Sequence, residues 1–368
     1  MLRRLEQYFK RLILTLLRVL IGSHRPPDLA TRTFKRILVI RQHDQLGDML
    51  CVVPLLRGIR QRYPDAFIAV MSSPVNHDVM VNNPYVDQVI RYDKSEFLGR
   101  AWIRWGRVVA FLKFLRREGF ELAVVPSTVS TSVTSDLLAY CSGASYRIGA
   151  GWIDGVVNPS GVFHNSPVSL QWGELSHRHQ TLRNLDIAHD LWLNVTDLSS
   201  EISLTEGEKE EATVFAAANH LVPGAFVSFH PGAGKPSNRW DAEKFAAVAE
   251  RLHGELRTAI AITRGPMDDV PVSEMQSRLA IPYQLIENKS IRQVAAILFL
   301  ARLVITNDTG IMHVAAAVGT PVLSLFGPTD PEQWAPIGTD HRYIVGKDGD
   351  VNTISVEEVV KAAREMLR

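Results

Sequence analysis

Residues able to bind an anion are concentrated in TNDTGIMH at positions 306–313, directly after an apolar run. A β run that breaks at an Asp-Thr-Gly turn and restarts as a helix leaves backbone N–H groups free to hold a phosphate. Asp308 or Thr309 can cap this helix, Gly310 allows a ligand close to the backbone, and His313 lies one turn into the helix. The stretch predicts a phosphate site, and the alternative is a capped helix in an ordinary α/β unit.

A second candidate anion site is HPGAGKPSNRW at positions 230–240. It follows another apolar run and joins a glycine-rich turn at Gly234 to the cations Lys235 and Arg239. Backbone N–H groups and cations that converge on one point hold diphosphates without covalent chemistry. The pattern GxxxxGK[ST] is absent, so this is not a Walker A loop. The alternative is a surface loop with solvated charges.

A third candidate is a carboxylate, Asp48, in LGD at positions 46–48. It follows the first predicted strand, and ligands of open α/β sheets bind at the carboxyl ends of strands. The dipole of a helix start stabilises an ionised carboxylate, which can accept a proton from a substrate hydroxyl. The alternative is an acid that serves only the helix N-terminus. A GxGxxG fingerprint is absent here, which disfavours a nicotinamide cofactor.

These motifs follow the strands of an alternating strand and helix pattern, which predicts parallel sheets covered on both faces. Strands are predicted at 36–41, 67–72, 86–92, 121–126, 225–230, 258–263, 303–306 and 321–326. Helices are predicted at 47–63, 99–118, 177–191 and about 354–367. Residues 150–176 lack a clear period and are expected to be irregular, and 194–203 is expected to be a linker. The fold prediction is α/β with two Rossmann-like domains.

Length and composition agree with a two-domain globular protein. The chain has 368 residues, 46% of them hydrophobic and 21% charged, which exceeds the roughly 250–300 residues of a single core. The net charge of +1 excludes a polyanion-binding surface over the whole chain, and no nucleic-acid partner is expected. The two cysteines, Cys51 and Cys141, show no disulfide or metal-ligand spacing. They indicate a reducing cytosol.

Basic charge is concentrated at the N-terminus. Residues 1–25 hold six basic residues and one acid, a net charge of +5. Leu2, Leu5, Phe9, Leu12, Ile13, Leu16 and Leu20 recur at helical spacing. The pattern predicts an amphipathic helix that lies on an anionic membrane surface, ended by Pro26-Pro27, without an apolar run long enough to cross it. The alternative is a helix packed on the protein itself.

The motifs together carry a family resemblance. LGD at 46–48, HPGAGKPSNRW at 230–240, NDTGIMHVAAAVGTP at 307–321 and LFGPTDPEQW at 325–334 resemble glycosyltransferase family 9, the ADP-heptose:lipopolysaccharide heptosyltransferases. The resemblance implies a GT-B fold, in which the two Rossmann-like domains face a central cleft. The expected organisation is a membrane-surface helix at 1–27, an acceptor domain at 34–193, a donor domain at 204–352 and a C-terminal helix at 353–368.

The resemblance also implies residue roles. Asp48 matches the family's general base. The positions that match the donor diphosphate site are Gly234, Lys235, Asn238, Arg239, Asp308, Thr309, Gly310 and His313. Asn238 departs from the family, which often has a lysine there, and Lys235 or Arg239 would supply the charge instead. Contacts to the donor nucleoside are expected from Asp268 or Asp269, and neither a metal nor a cofactor is expected.

The leading hypothesis is an inverting, metal-independent glycosyltransferase that moves a sugar from a nucleotide donor such as ADP-heptose. Its acceptor would be a lipopolysaccharide core or another lipid-linked saccharide, reached from the cytoplasmic face of the inner membrane as a peripheral protein. One alternative is a related nucleotide-sugar epimerase or hydrolase. The other is a non-catalytic nucleotide-sugar-binding protein, which would not need the carboxylate of Asp48.

Overall fold

The computed structural model describes residues 28–42, 45–97, 103–127 and 130–368, and it divides into two compact units. The first unit comprises 51–80 and 84–197 with the described residues before 45. The second comprises 198–368 with the short segments 45–50 and 81–83. The amphipathic helix predicted at 1–27 lies outside the described residues.

The first unit is built on a mainly parallel sheet with the strand order β3-β2-β1-β4-β5. Beyond β5, strand β7 pairs with it in parallel and the short β6 in antiparallel. The strands are β1 Arg36–Arg41, β2 Phe67–Ser72, β3 Gln88–Arg91, β4 Leu122–Val125, β5 Tyr146–Ile153, β6 Val156–Val157 and β7 Ser166–Leu170. The helices up to residue 197 are α1 Leu46–Leu50, α2 Val53–Arg62, α3 Lys94–Phe97, α4 Trp105–Arg117, α5 Val133–Cys141 and α6 Gln180–Ile187.

The second unit contains a six-stranded, fully parallel sheet with the order β10-β9-β8-β11-β12-β13. Its strands are β8 Phe226–His230, β9 Ala259–Thr263, β10 Gln284–Ile286, β11 Leu303–Asn307, β12 Val322–Phe326 and β13 His341–Val345. Its helices are α7 Glu206–Ala218, α8 Ala242–Leu256, α9 Asp269–Arg278, α10 Ile291–Phe299, α11 Gly310–Ala317, α12 Pro331–Trp334 and α13 Val356–Met366.

Buried apolar residues lie on both faces of the second sheet, as parallel sheets require. Phe229 and Ile305 belong to one core, whereas their neighbours Phe226 and Val304 belong to the other. The chain reverses its direction of winding between β8 and β11, which are paired in register from Leu303–Val227 to Thr306–His230. Such a switch point opens a crevice at the carboxyl ends of the strands. The predicted α/β fold with parallel sheets is confirmed.

The helix predicted at 47–63 is interrupted. Its first part, α1, ends at Leu50, and α2 begins at Val53 with Pro54 in its first turn. Proline lacks an N–H group and its ring collides with the carbonyl four residues earlier, which is that of Leu50. The side chain of Ser200 donates a hydrogen bond to the Leu50 carbonyl at 3.0 Å.

Asp48 lies in α1, on the N-terminal side of this break. The domain boundaries expected from the sequence put α1 in the first domain, whereas its packing groups residues 45–50 with the second unit. The close neighbours of α1 are on α11, because the α-carbon of Gly47 faces His313 and that of Gly310 faces Leu46. Asp48 therefore belongs to the unit that carries the predicted phosphate motifs.

The expectation of an irregular segment at 150–176 is wrong, because β5 extends to Ile153 and β6 and β7 lie within that range. The predicted strands at 36–41 and 67–72 are confirmed to the residue. Among the described residues, no helix combines the length and the apolar character needed to cross a membrane.

Candidate functional site

Helix α11 begins at the carboxyl end of β11 without a side-chain cap. Thr309 is the N-cap residue and has extended backbone angles (φ −157°, ψ 169°), but its side chain makes no capping hydrogen bond. Asp308 does not cap the helix either, because its carboxylate is engaged with Asn238. The first amides of α11, at Gly310 and Ile311, and the positive end of the helix dipole can therefore serve an anionic ligand.

The side chain of Asn238 fixes Asp308. Its Nδ2 donates to Oδ2 of Asp308 at 2.8 Å and lies 3.3 Å from the hydroxyl of Thr329. Burial raises the pKa of Asp308, opposed by a hydrogen bond from Thr329 and by the charge of Lys235. The residue at the position where the family often has lysine is thus a buried amide that orients the turn before α11.

The loop at 231–240 is held against β11 by Asn307, which sequence analysis did not single out. This fully buried amide donates from Nδ2 to the carbonyl of Pro231 at 2.9 Å. Its Oδ1 accepts the N–H of Trp240 at 3.0 Å. An Asn at the last position of a strand, directly before the motif Asp, is the signal that could have identified it. Both candidate anion segments are consequently braced by one side chain.

The two cations of this loop have different surroundings. Lys235 is exposed, like Gly234 before it, and its charge acts on Asp308. Arg239 is half-buried, and its Nε donates to the carbonyl of Ala233 at 2.9 Å, across the turn. Part of the guanidinium of Arg239 thus stabilises the loop, whereas the ammonium of Lys235 is the more accessible charge.

Asp48 lies in the first turn of α1, next to the residue that contacts His313. Its Oδ2 accepts the N–H of Gln45 at 3.3 Å, the contact expected of an acid at a helix N-terminus. Asp48 is partly exposed, whereas His313 is 5% exposed and its ring lies edge-on to Trp334 at a centroid distance of 6.4 Å. The predicted base and the predicted phosphate helix are therefore brought together.

The two candidates for nucleoside contacts are already bonded to protein groups. Asp268 is 8% exposed, and its Oδ2 accepts the N–H of Gly265 at 2.8 Å. A β-carbon at Gly232 would collide with the same carboxylate, so Asp268 fills the space between the loops after β8 and β9. Asp269 pairs with Arg264 at 2.7 Å. Their expected role toward the donor nucleoside stays a prediction.

His230 is the last residue of β8 and directly precedes the loop at 231–240. Its Nδ1 is 2.9 Å from the hydroxyl of Thr263, and its Nε2 is 3.9 Å from Asp268. Burial lowers the pKa of His230, and the nearby charge of Asp268 opposes that shift. The ring is buried between Thr263 and Asp268 at the end of β8.

The residues that the structure describes contain no group of three or more His, Cys, Asp or Glu side chains arranged to hold a metal ion. After β13, Asp348 lies within the 3₁₀ turn Lys347–Gly349, and Asp350 lies between that turn and the next one, Val351–Thr353.

Comparison with known proteins finds one family model that covers most of the chain. The model of glycosyltransferase family 9 (heptosyltransferase) matches residues 108–361. Lipopolysaccharide heptosyltransferase 2 of Escherichia coli (strain K12) is 26% identical over 326 residues, which cover 84% of this chain and 87% of that protein. The match to the family model includes Lys235, Asp308 and His313 but begins after Asp48.

Two solved structures share the fold. A glycosyl transferase family 9 protein from Veillonella parvula superposes with a TM-score of 0.78 at 24% identity, covering 93% of this chain and 99% of its own. The ADP-heptose LPS heptosyltransferase II of E. coli superposes with a TM-score of 0.73 at 22% identity, covering 90% and 98%. The GT-B fold expected from the sequence is thereby confirmed.

Proposed function

The chain belongs to glycosyltransferase family 9, as its motifs predicted, and from this premise we propose that it transfers a heptose from ADP-heptose to a lipopolysaccharide-core or other lipid-linked saccharide. The observation that carries the proposal is the uncapped start of α11, flanked by the cationic loop 231–240 and by the helix that bears Asp48. The structurally similar heptosyltransferase II of E. coli has ADP-heptose in its name.

The donor's diphosphate is proposed to bind at the start of α11. Backbone N–H groups of Gly310 and Ile311 would donate to its oxygens, and Lys235 would add a positive charge. As the bond between the anomeric carbon and the diphosphate breaks, negative charge grows on the leaving oxygen. Fixed donors aimed at that oxygen stabilise the transition state more than the ground state.

Asp48 is proposed to act as the general base. It would take the proton of the acceptor hydroxyl while that oxygen forms a bond to the anomeric carbon, and ADP leaves from the opposite face. One displacement of this kind inverts the configuration at the anomeric carbon. The role needs an ionised carboxylate near the donor site, and the neighbouring contact of Gly47 with His313 supports this.

Metal independence is part of the proposal. The helix dipole, the N–H groups and the cations would together stabilise the departing diphosphate, the task that a divalent ion performs in other transferases. We therefore expect transfer to persist in the presence of EDTA. Loss of transfer with EDTA and its recovery with one divalent ion would contradict this part.

The enzyme is proposed to meet its lipid-linked acceptor at the cytoplasmic face of the inner membrane. The basic segment 1–25, with a net charge of +5, would contact anionic lipid. Sedimentation with anionic vesicles should fall when residues 1–25 are removed, and unchanged sedimentation would contradict the role of that segment.

The proposal is tested by nucleotide-dependent thermal stabilisation followed by product analysis. ADP at 100 times its Kd should stabilise the protein by about 2.7 kcal/mol, and UDP at the same concentration should stabilise it less. With ADP-heptose, sugar should appear on the acceptor and remain on the donor when acceptor is omitted. Epimerised or hydrolysed donor without acceptor would favour the epimerase or hydrolase alternative, and binding without any product would favour a non-catalytic protein.

A further inference from the structure

Helix α4 of the first unit exposes large apolar side chains. Trp105 and Val109 are 66% and 46% exposed, and they lie four residues apart on one face of the helix. Ile103, just before the helix, is 43% exposed. Leu115 is the residue of α4 that is fully buried. The outward face of this helix is therefore much more apolar than a solvated surface helix requires.

Helix α5 also exposes large apolar side chains on one face. Val133, Leu137 and Tyr140 are 41%, 42% and 37% exposed, and their spacing of four and three residues aligns them along one stripe. The other side of α5 packs into the core through Leu138 and Ala139. This stripe is a second exposed apolar face, in which the ring of Tyr140 also contacts Phe163 at a centroid distance of 5.4 Å.

The two faces belong to one layer. Leu115 of α4 joins Leu138 and Ala139 of α5 in a single core on the first sheet. Nε of Arg116 donates to the carbonyl of Cys141 at 3.3 Å, which ties the ends of the two helices together. We call the outward side of α4 and α5 the α4–α5 surface. Exposed apolar side chains on neighbouring helices of one layer are a feature of interaction sites.

Basic residues predominate on this surface, and Glu118, which follows α4, is paired with Arg36 at 2.7 Å. Between Ile103 and Arg117 the chain contains five exposed basic residues and no acid: Arg104, Arg107, Lys113, Arg116 and Arg117. Between residues 130 and 147 the one acid is Asp136, which is 1% exposed and hydrogen-bonded to His164 and Ser160. The α4–α5 surface is thus apolar and strongly cationic.

We propose that the α4–α5 surface docks on an anionic phospholipid bilayer, with Trp105 and Tyr140 at the level of the headgroups. Aromatic and aliphatic side chains enter the interface while Lys and Arg side chains reach the lipid phosphates. A second copy of the chain fits the same surface poorly, because the basic residues on the side of Trp105, which are Lys113, Arg116 and Arg117, would face their own copies. The lipid contact is separate from residues 1–25 and independent of the proposed transfer reaction.

The test uses the full chain and vesicles of phosphatidylcholine with or without phosphatidylglycerol. Trp105→Ala should lower partitioning onto anionic vesicles roughly tenfold, from the apolar area it withdraws. Lys113→Gln should lower it about fivefold, because one cation near the surface contributes about 1 kcal/mol. Salt should weaken binding of the parent protein, and neutral vesicles should show a smaller effect of Lys113→Gln.

Matched controls are Trp192→Ala, a tryptophan that is 76% exposed elsewhere in the first unit, and Lys361→Gln, an exposed lysine on α13. Neither control should change partitioning, and circular dichroism should confirm that all four variants fold. Residues 1–25 are intact in every variant, so a difference reports on the α4–α5 surface. Equal partitioning of variants and controls would overturn the proposal, as would a concentration-dependent dimer that Trp105→Ala breaks without changing vesicle binding.

Discussion

Gly47 and His313 adjoin so closely that a side chain on the glycine has no room. A β-carbon at Gly47 would lie 2.5 Å from Cδ2 and 2.8 Å from Nε2 of His313. Because Asp48 is the next residue, the position of the proposed base is coupled to the position of an imidazole on the proposed phosphate helix. The proposed proton transfer and the proposed diphosphate binding therefore depend on one contact.

Gly47→Ala should impair transfer far more than it impairs folding. The added methyl group must displace His313 or α1, and a misplacement of about 1 Å can cost on the order of 100-fold in rate. Overpacking of this kind destabilises by about 1–3 kcal/mol. Gly254→Ala, in a helical position with open space, is the control and should stabilise slightly. Near-normal turnover of Gly47→Ala would show that the contact does not position the base.

Asn238→Ala should loosen the turn before α11. It removes the amide that donates to the buried carboxylate of Asp308, so the free energy of unfolding should fall by about 1–3 kcal/mol. The affinity for ADP, measured by titration calorimetry, should fall as well. Asn219→Ala removes a hydrogen bond to Phe215 at the end of α7 and should leave ADP affinity unchanged. Equal ADP affinity in Asn238→Ala and the parent would remove Asn238 from the donor site.

Lys235→Gln and Arg239→Gln should have different effects, because the two cations have different surroundings. Loss of the exposed ammonium should weaken ADP binding about tenfold or more, with a weaker salt dependence. Loss of the guanidinium removes the bond to Ala233 and should mainly lower the stability of the loop. The comparison is made by calorimetry at two salt concentrations. The reverse order of affinities would assign the phosphate contact to Arg239.

Strands with a clear local pattern could be predicted from the sequence. Elements whose residues are chosen by contacts with distant parts of the chain could not. The strand at 36–41 has an apolar centre and was predicted correctly, whereas β5 carries Gly149 and Gly151, and its residues 150–153 fall in the segment expected to be irregular. A β-carbon at Gly149 would collide with the ring of His164, which is bonded to the buried Asp136 at 2.8 Å. The need for glycine at position 149 is thus set by His164, a residue more than ten positions away. A local sequence pattern cannot show such a contact.

The same limit applies to the candidate site. The motif residues could be found from their types and their places after strands, and their roles stay predictions. The bracing amides could not be found in this way: Asn307 holds the loop 231–240 through contacts more than 60 residues distant in sequence. Nor could the sequence show that Asp268 fills a space between two loops.

Acid should weaken the second unit through Glu208. Its carboxylate binds Arg292 at 2.5 and 2.7 Å and closes the cap of α7 at Thr205, and chiefly the bond from Arg292 lowers the pKa of Glu208 to about 2. The unfolded pKa is about 4.3, so this contribution to stability is present above that pH. It is lost as pH falls through about 2.

Urea unfolding across this pH range tests the contribution. Glu208→Gln should reduce the loss of stability on acidification, whereas Glu206→Gln, whose side chain is 90% exposed, should not. An identical pH dependence for Glu208→Gln and the parent would contradict the assignment.

Turnover and ADP affinity of Asp48→Asn, measured with ADP-heptose and an acceptor saccharide, test the account most directly. The amide keeps the shape of the side chain and can still accept the N–H of Gln45, but it cannot accept the acceptor's proton. Turnover should fall by about 100- to 10,000-fold while ADP affinity is unchanged, and Asp348→Asn should match the parent in both. Near-normal turnover of Asp48→Asn would contradict the assignment of Asp48 as the base.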